Sequence, residues 1–94
     1  MQDVKEILSE LGFSGIEDAA KKHAWLLISG KVAKYEAECN FYEKKYDCDF
    51  STFEKKINEK INDENFDEED DLLDWRFAFE QLTKYKEQIV RLRS

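Results

Sequence analysis

Between residues 25 and 46 an apolar or aromatic side chain returns at alternating steps of three and four: Trp25, Ile28, Val32, Tyr35, Cys39, Tyr42 and Tyr46. Such a heptad pattern keeps one side of a helix in register with a second helix. The same steps recur at Trp75, Ala78, Leu82, Tyr85, Ile89 and Leu92. Two seams of this length call for two long helices. Little in the chain opposes them, for it has no proline and only three glycines among 94 residues. Glu, Lys, Leu and Ala, all helix formers, fill the positions between. The predicted fold is all-α.

Start signals divide the chain into four segments of one domain. Val4, Ile7, Leu8 and Leu11 have helical spacing and Gly12 is a stop, which predicts a short helix over about 3–11. Ser14 and Glu17 match the S-x-x-E capping box, in which each side chain satisfies a free N–H of the first turn. A long helix over about 15–46 follows. Asp47 and Asp49 favour a turn. Ser51 and Glu54 form a second S-x-x-E pair, opening a short helix over about 51–61 with Phe53, Ile57 and Ile61 on one side. Asp67 precedes a last long helix over about 68–92.

The connector of about twenty residues lets the long helices run antiparallel. A two-helix hairpin encloses no interior, however. Ala20, Ala24, Leu27 and Phe41 form a second stripe beside the first seam, and "AWLLI" is apolar on most sides. A helix apolar on most sides is buried on most sides. Either the short helices cover the hairpin or a second copy does. The expectation is a homodimer that completes a four-helix bundle. Trp25, Ile28, Val32, Tyr35, Tyr42, Leu82, Tyr85 and Ile89 are its candidate seam residues. Gly30 lies inside the first long helix, where it is either a tolerated cost or the point at which another backbone comes close.

The sequence offers little to a reaction. His23 is the only histidine. Ala20 stands three residues before it, so the Glu-x-x-His pattern of di-metal carboxylate bundles is missing. Loops starting at Asp63 or Asp47 lack the Gly and the final Glu of a calcium-binding EF-hand. Gly12, Gly15 and Gly30 make no phosphate cradle. Cys39 falls on the seam as a small apolar residue, and Cys48 sits between two Asp, which blunts thiol reactivity. The two cysteines have no zinc spacing and are expected to be free thiols. No catalytic residue, metal or cofactor is predicted. The longest apolar run is far below the ~20 residues of a membrane span. No signal peptide is recognisable, and a cytoplasmic setting is expected.

Charge is unevenly spread. Residues 1–62 hold ten Lys/Arg against twelve Asp/Glu, residues 63–74 hold eight acids and no base, and residues 75–94 hold five bases against two acids. The formal net charge of −7 disfavours direct nucleic-acid binding, which depends on neutralising phosphates. The acid block instead attracts a basic surface. It has two readings: a solvated helix start whose carboxylates favour the positive end of the helix dipole, or a docking patch. In the second, Asp70, Asp71 and Asp74 would ring Trp75 and Phe79.

The run "KYEAECNFYEKKYDCDFSTFEKKI", followed by an acidic stretch and "DDLLDW", resembles a group of short helical proteins of archaea and bacteria. The matching positions are Tyr35, Glu36, Tyr46, Phe50, Phe53, Glu54, Asp70, Asp71 and Trp75, within residues 31–82. Where those proteins usually carry Glu before the tryptophan and Gly after "KKY", this chain has Asp74 and Asp47. Such proteins are often encoded beside a small partner and are regarded as possible antitoxin components of toxin–antitoxin pairs. The resemblance implies an antitoxin-like interaction subunit that binds a small basic protein such as a toxin. The alternatives are a structural homodimer or assembly adaptor, and a metal-binding or enzymatic bundle.

Overall fold

The computed structural model describes residues 3–12, 14–60 and 65–93, and these form four helices with no strand among them. The helices are α1 (Val4–Glu10), α2 (Ile16–Tyr46), α3 (Phe50–Glu59) and α4 (Phe66–Arg93). The predicted end of the short helix at Ile61 lies outside the described residues, as do Asp63 and Glu64 of the acid block.

α2 and α4 form an antiparallel hairpin. The residue pairs across the seam fix the direction: Tyr46 meets Asp71, Tyr42 stacks on Trp75 at 5.7 Å, and Tyr35 stacks on Tyr85 at 6.1 Å. α3 packs across the closed end, and α1 borders α2 alone.

The helix starts differ from those read in the sequence. Ser14 does not cap α2. The N-cap is Gly15, which has no side chain to offer, and the Ser14 N–H donates to Asp18 Oδ2 at 3.1 Å. Nor does Ser51 cap α3. Asp49 does so from two residues earlier, accepting from the Thr52 N–H at 2.8 Å, and the helix begins at Phe50. α4 begins at Phe66 and is held by Asn65, whose side-chain oxygen accepts from the Glu68 N–H at 3.2 Å. For α3 and α4 the acceptor wins that reaches a free N–H of the first turn, while α2 starts without a side-chain cap; the S-x-x-E spelling alone does not decide it.

Asp47 ends α2 in the left-handed region, at φ 53° and ψ 42°. Aspartate tolerates this conformation better than most side chains. It therefore does the work that a glycine commonly does at a helix end. The three-residue turn Asp47–Asp49 then sends α3 back over the seam.

The core lies at the closed end. Its buried residues are Tyr35 and Cys39 from α2, Phe50 and Phe53 from α3, and Leu72, Trp75 and Ala78 from α4. Trp75 is wholly enclosed. Tyr42, Tyr46, Phe50 and Phe53 surround it at centroid distances of 5.7, 6.4, 5.6 and 5.3 Å. Such ring pairs each add about 0.5–1.5 kcal/mol beyond area burial. Two ion pairs tie α3 to α4 at its rim: Arg76–Glu54 at 2.9 Å and Lys60–Glu68 at 3.0 Å.

Among the described residues, the opposite half of the hairpin keeps large apolar side chains in solvent. Trp25, Leu26 and Leu27 on α2 and Val90 on α4 are exposed. So are Val4, Ile7 and Leu11 on α1, a helix that buries no residue. The molecule measures 69 × 24 × 18 Å with a radius of gyration of 19.9 Å. A compact domain of this length would have a radius near 12 Å. The seam is therefore covered only in part: Trp25, its first predicted member, is 44% exposed. Ile28, Val32, Tyr42, Leu82, Tyr85 and Ile89 are half-buried.

Candidate interaction surfaces

The five residues proposed from the sequence as a contact patch do not share one environment. Asp70 and Asp74 are exposed. Asp71 turns into the seam, where it accepts from Lys45 Nζ at 2.6 Å and from the Tyr46 hydroxyl. Trp75 is the centre of the core, so it offers nothing to a partner while the fold is intact, and its place in the patch is withdrawn. Phe79 keeps one side in solvent and stacks its ring on Phe50 at 5.0 Å. The carboxylates do not ring an exposed tryptophan.

Electrostatics follow from these positions. Burial pushes the Asp71 carboxyl up, but the hydrogen bonds from Lys45 and Tyr46 outweigh it and hold the group below the ordinary aspartate value. Tyr46 is shifted upward by its burial and by the bond to Asp71. The hydrogen bond to Asp71 likewise raises Lys45. Together these three side chains clamp the last turn of α2 to the first turns of α4.

A different apolar surface lies beside Asp70 and Asp74. Leu73 is 59% and Phe77 53% exposed, one turn apart on α4. Across the hairpin Phe41 is 60% exposed, its ring edge-on to Tyr42 at 5.2 Å. Phe77 meets Tyr35 edge-on at 5.9 Å. Arg76 and Phe79 point to α3, so the Leu73–Phe77 side of α4 is the side α3 leaves open. Asp70, Leu73, Asp74 and Phe77 step by 3, 1 and 3, which places two carboxylates and two apolar side chains on one helix face. The sequence contained the signal: Phe66, Leu73 and Phe77 repeat at 7 and 4 beside the main seam. The heptad of larger aromatics overshadowed it.

A shallow groove on the open half is lined by Lys22, His23, Trp25 and Leu26. These four lie within about one turn of α2, and among the described residues no other element lines the groove. His23 stands sixteen residues from Cys39 on the same helix, a separation of about 24 Å at 1.5 Å per residue. Cys48 is farther still, beyond the end of α2. The geometry thus joins neither thiol to the histidine. Both cysteines are free, with Cys39 buried and Cys48 half-buried. Burial and the nearby Glu43 and Glu38 push the Cys39 thiol up. Among the described residues no three His, Cys, Asp or Glu side chains converge as metal ligands would. Among the described residues no helix is long and apolar enough to cross a membrane.

No family model, curated protein or solved structure matches this chain.

Proposed function

We propose that this protein is a non-catalytic interaction module, an antitoxin-like cytoplasmic subunit that docks a basic protein surface onto the closed end of its hairpin. One observation carries the reading. Leu73 and Phe77 are more than half exposed on the same face of α4 as the exposed Asp70 and Asp74, and Phe41 is equally exposed on α2 across the hairpin, apolar groups with a charged rim of one sign. Such a surface orients and accelerates encounter with a positive partner and gains affinity at the apolar centre. Trp75 backs Tyr42, against which Phe41 rests, whereas Asp71 faces the seam and Phe79 faces α3.

The test pairs capture with charge removal. The protein and its Asp70→Asn/Asp74→Asn variant are used as bait in a native extract, and a small basic protein retained by the first is purified. At low salt its association with the variant should be slower, and the difference should shrink as salt rises, because exposed charges are screened over about 8 Å at physiological ionic strength. Equal rates at low salt would remove the patch from the interface.

A second reading is favoured by the bare half of the hairpin. Trp25, Leu26, Leu27 and Val90 are all more than 40% exposed, and an uncovered apolar half suits a homodimer that completes a four-helix bundle.

A further inference from the structure

From the distribution of charge and apolar surface along the hairpin, we infer that the basic surface received by the Phe41–Leu73–Phe77 patch is the open half of a second copy, laid against the first with its ends reversed. The inference rests on the reading of that patch as a docking site for a basic surface.

The two halves of the hairpin carry opposite charge. Residues 15–34 hold Lys21, Lys22, Lys31 and Lys34 against Glu17 and Asp18, and residues 83–93 hold four bases against Glu87. With α1, which borders α2 and adds Asp3, Glu6 and Glu10 against Lys5, the open half is +3. Over residues 36–60 and 65–74 thirteen acids face five lysines, so the closed half is −8. Side-by-side packing with ends aligned sets like charge on like. Reversal sets each basic half on an acidic one, twice over by the two-fold symmetry of an isologous pair.

The apolar groups obey the same reversal. On α2, Leu27, Lys31, Lys34, Glu38 and Phe41 step by 4, 3, 4 and 3, so they share one face. Leu27 and Phe41 lie at its two ends, 59% and 60% exposed. On α4 the corresponding face runs from Asp70, Leu73, Asp74 and Phe77 at the closed end through Lys84 near the middle to Arg91 at the open end. Reversal about the middle of the hairpin, near the stacked Tyr35–Tyr85 pair, brings Phe41 of one copy to Leu27 of the other. It also brings the Asp70–Asp74 acids toward Arg91 at the open end of the second copy's α4. One register therefore satisfies both the apolar ends and the charges. It covers the side of the seam that α3 leaves open, and the result has four long helices around one interior.

Charge-swapped variants test this by light scattering and sedimentation. Arg91→Glu/Arg93→Glu and Asp70→Lys/Asp74→Lys change only exposed side chains. The unaltered protein should run at twice the 11.2 kDa chain mass. Each variant alone should dimerise about tenfold more weakly at low salt, and an equimolar mixture of the two should recover the original affinity, since each contact then pairs opposite charges. Ends aligned would give the opposite sign: Asp70→Lys/Asp74→Lys would relieve repulsion and tighten the dimer. Tightening, or weakening without recovery in the mixture, overturns the inference. So does a monomer at every concentration. In that case the docking reading survives only if a foreign basic protein still binds the patch and loses rate with Asp70→Asn/Asp74→Asn.

Discussion

Tyr46, the last residue of α2, donates its hydroxyl hydrogen to the carboxylate of Asp71 in the second turn of α4. Lys45 reaches the same oxygen. This bond closes the seam beside the turn that leads into α3, and it ties the fold to pH. The folded Asp71 carboxyl titrates below its ordinary value. The clamp therefore contributes fully above the unfolded aspartate pKa and is lost as pH falls through the lower, folded value. Tyr46→Phe removes a donor, raises the folded pKa and moves that loss to higher pH. A hydrogen bond to a charged group of this partly buried kind is worth about 1.5–3 kcal/mol. Urea unfolding of both proteins from pH 7 to pH 2 should give curves that converge at the acid end.

Trp75→Ala should be among the most damaging substitutions, costing about 3–5 kcal/mol as for other buried large aromatics. Trp75→Phe should cost far less than its lost volume suggests. The indole Nε1 is buried without a hydrogen-bond partner, and replacing it removes a penalty of about 1–3 kcal/mol. Chemical denaturation of the two variants measures the gap. A Trp75→Phe loss equal to that of Trp75→Ala would contradict the orphan status of the indole N–H.

The cap of α3 gives a clean pair. Asp49→Ala should lower the melting temperature, and Ser51→Ala should leave it in place. Asp49 accepts the Thr52 N–H at 2.8 Å, and its carboxyl is held below the usual aspartate value by Thr52. Ser51 lies one residue inside the helix. The reverse order of effects would restore the S-x-x-E reading.

Gly30→Ala should stabilise the chain by about 0.4–1 kcal/mol, because it lowers the entropy of the unfolded state at a helical position. A methyl group there meets nothing within 4 Å. Among the described residues no other backbone approaches Gly30 closely. Thermal unfolding at low concentration, where association is minimal, gives the intrinsic effect.

The periodic positions were the legible part of the fold. Trp75, Ala78, Leu82 and Tyr85 point where their spacing puts them, because a heptad fixes which side of a helix meets another. The spacing carried no information about where along that side the packing stops. Trp25 and Tyr42 have equal standing in the repeat, yet α3 and the broad rings of Phe50 and Phe53 gather the core around one end only. The contact patch was misjudged for a related reason. Trp75 held both a seam position and a place beside the acids, and the hairpin settles it by burying that ring and leaving Leu73 and Phe77 outside. Caps were hard to read because Ser14, Ser51, Asp49 and Asn65 all have suitable side chains, and backbone direction decides which one acts.

The one-sided core has a consequence for how the chain opens. The aromatic cluster, the Asp71 clamp and both α3–α4 ion pairs lie at the same end, while the first turns of α2 and the last of α4 hold each other by few buried groups. Protection of backbone amides from deuterium should fall steadily along α2 from Tyr46 toward Ile16, and along α4 from Trp75 toward Arg93. The hairpin unzips from its tips like a fork whose tines are free and whose handle is fixed. Whatever covers the tines should add its protection there first.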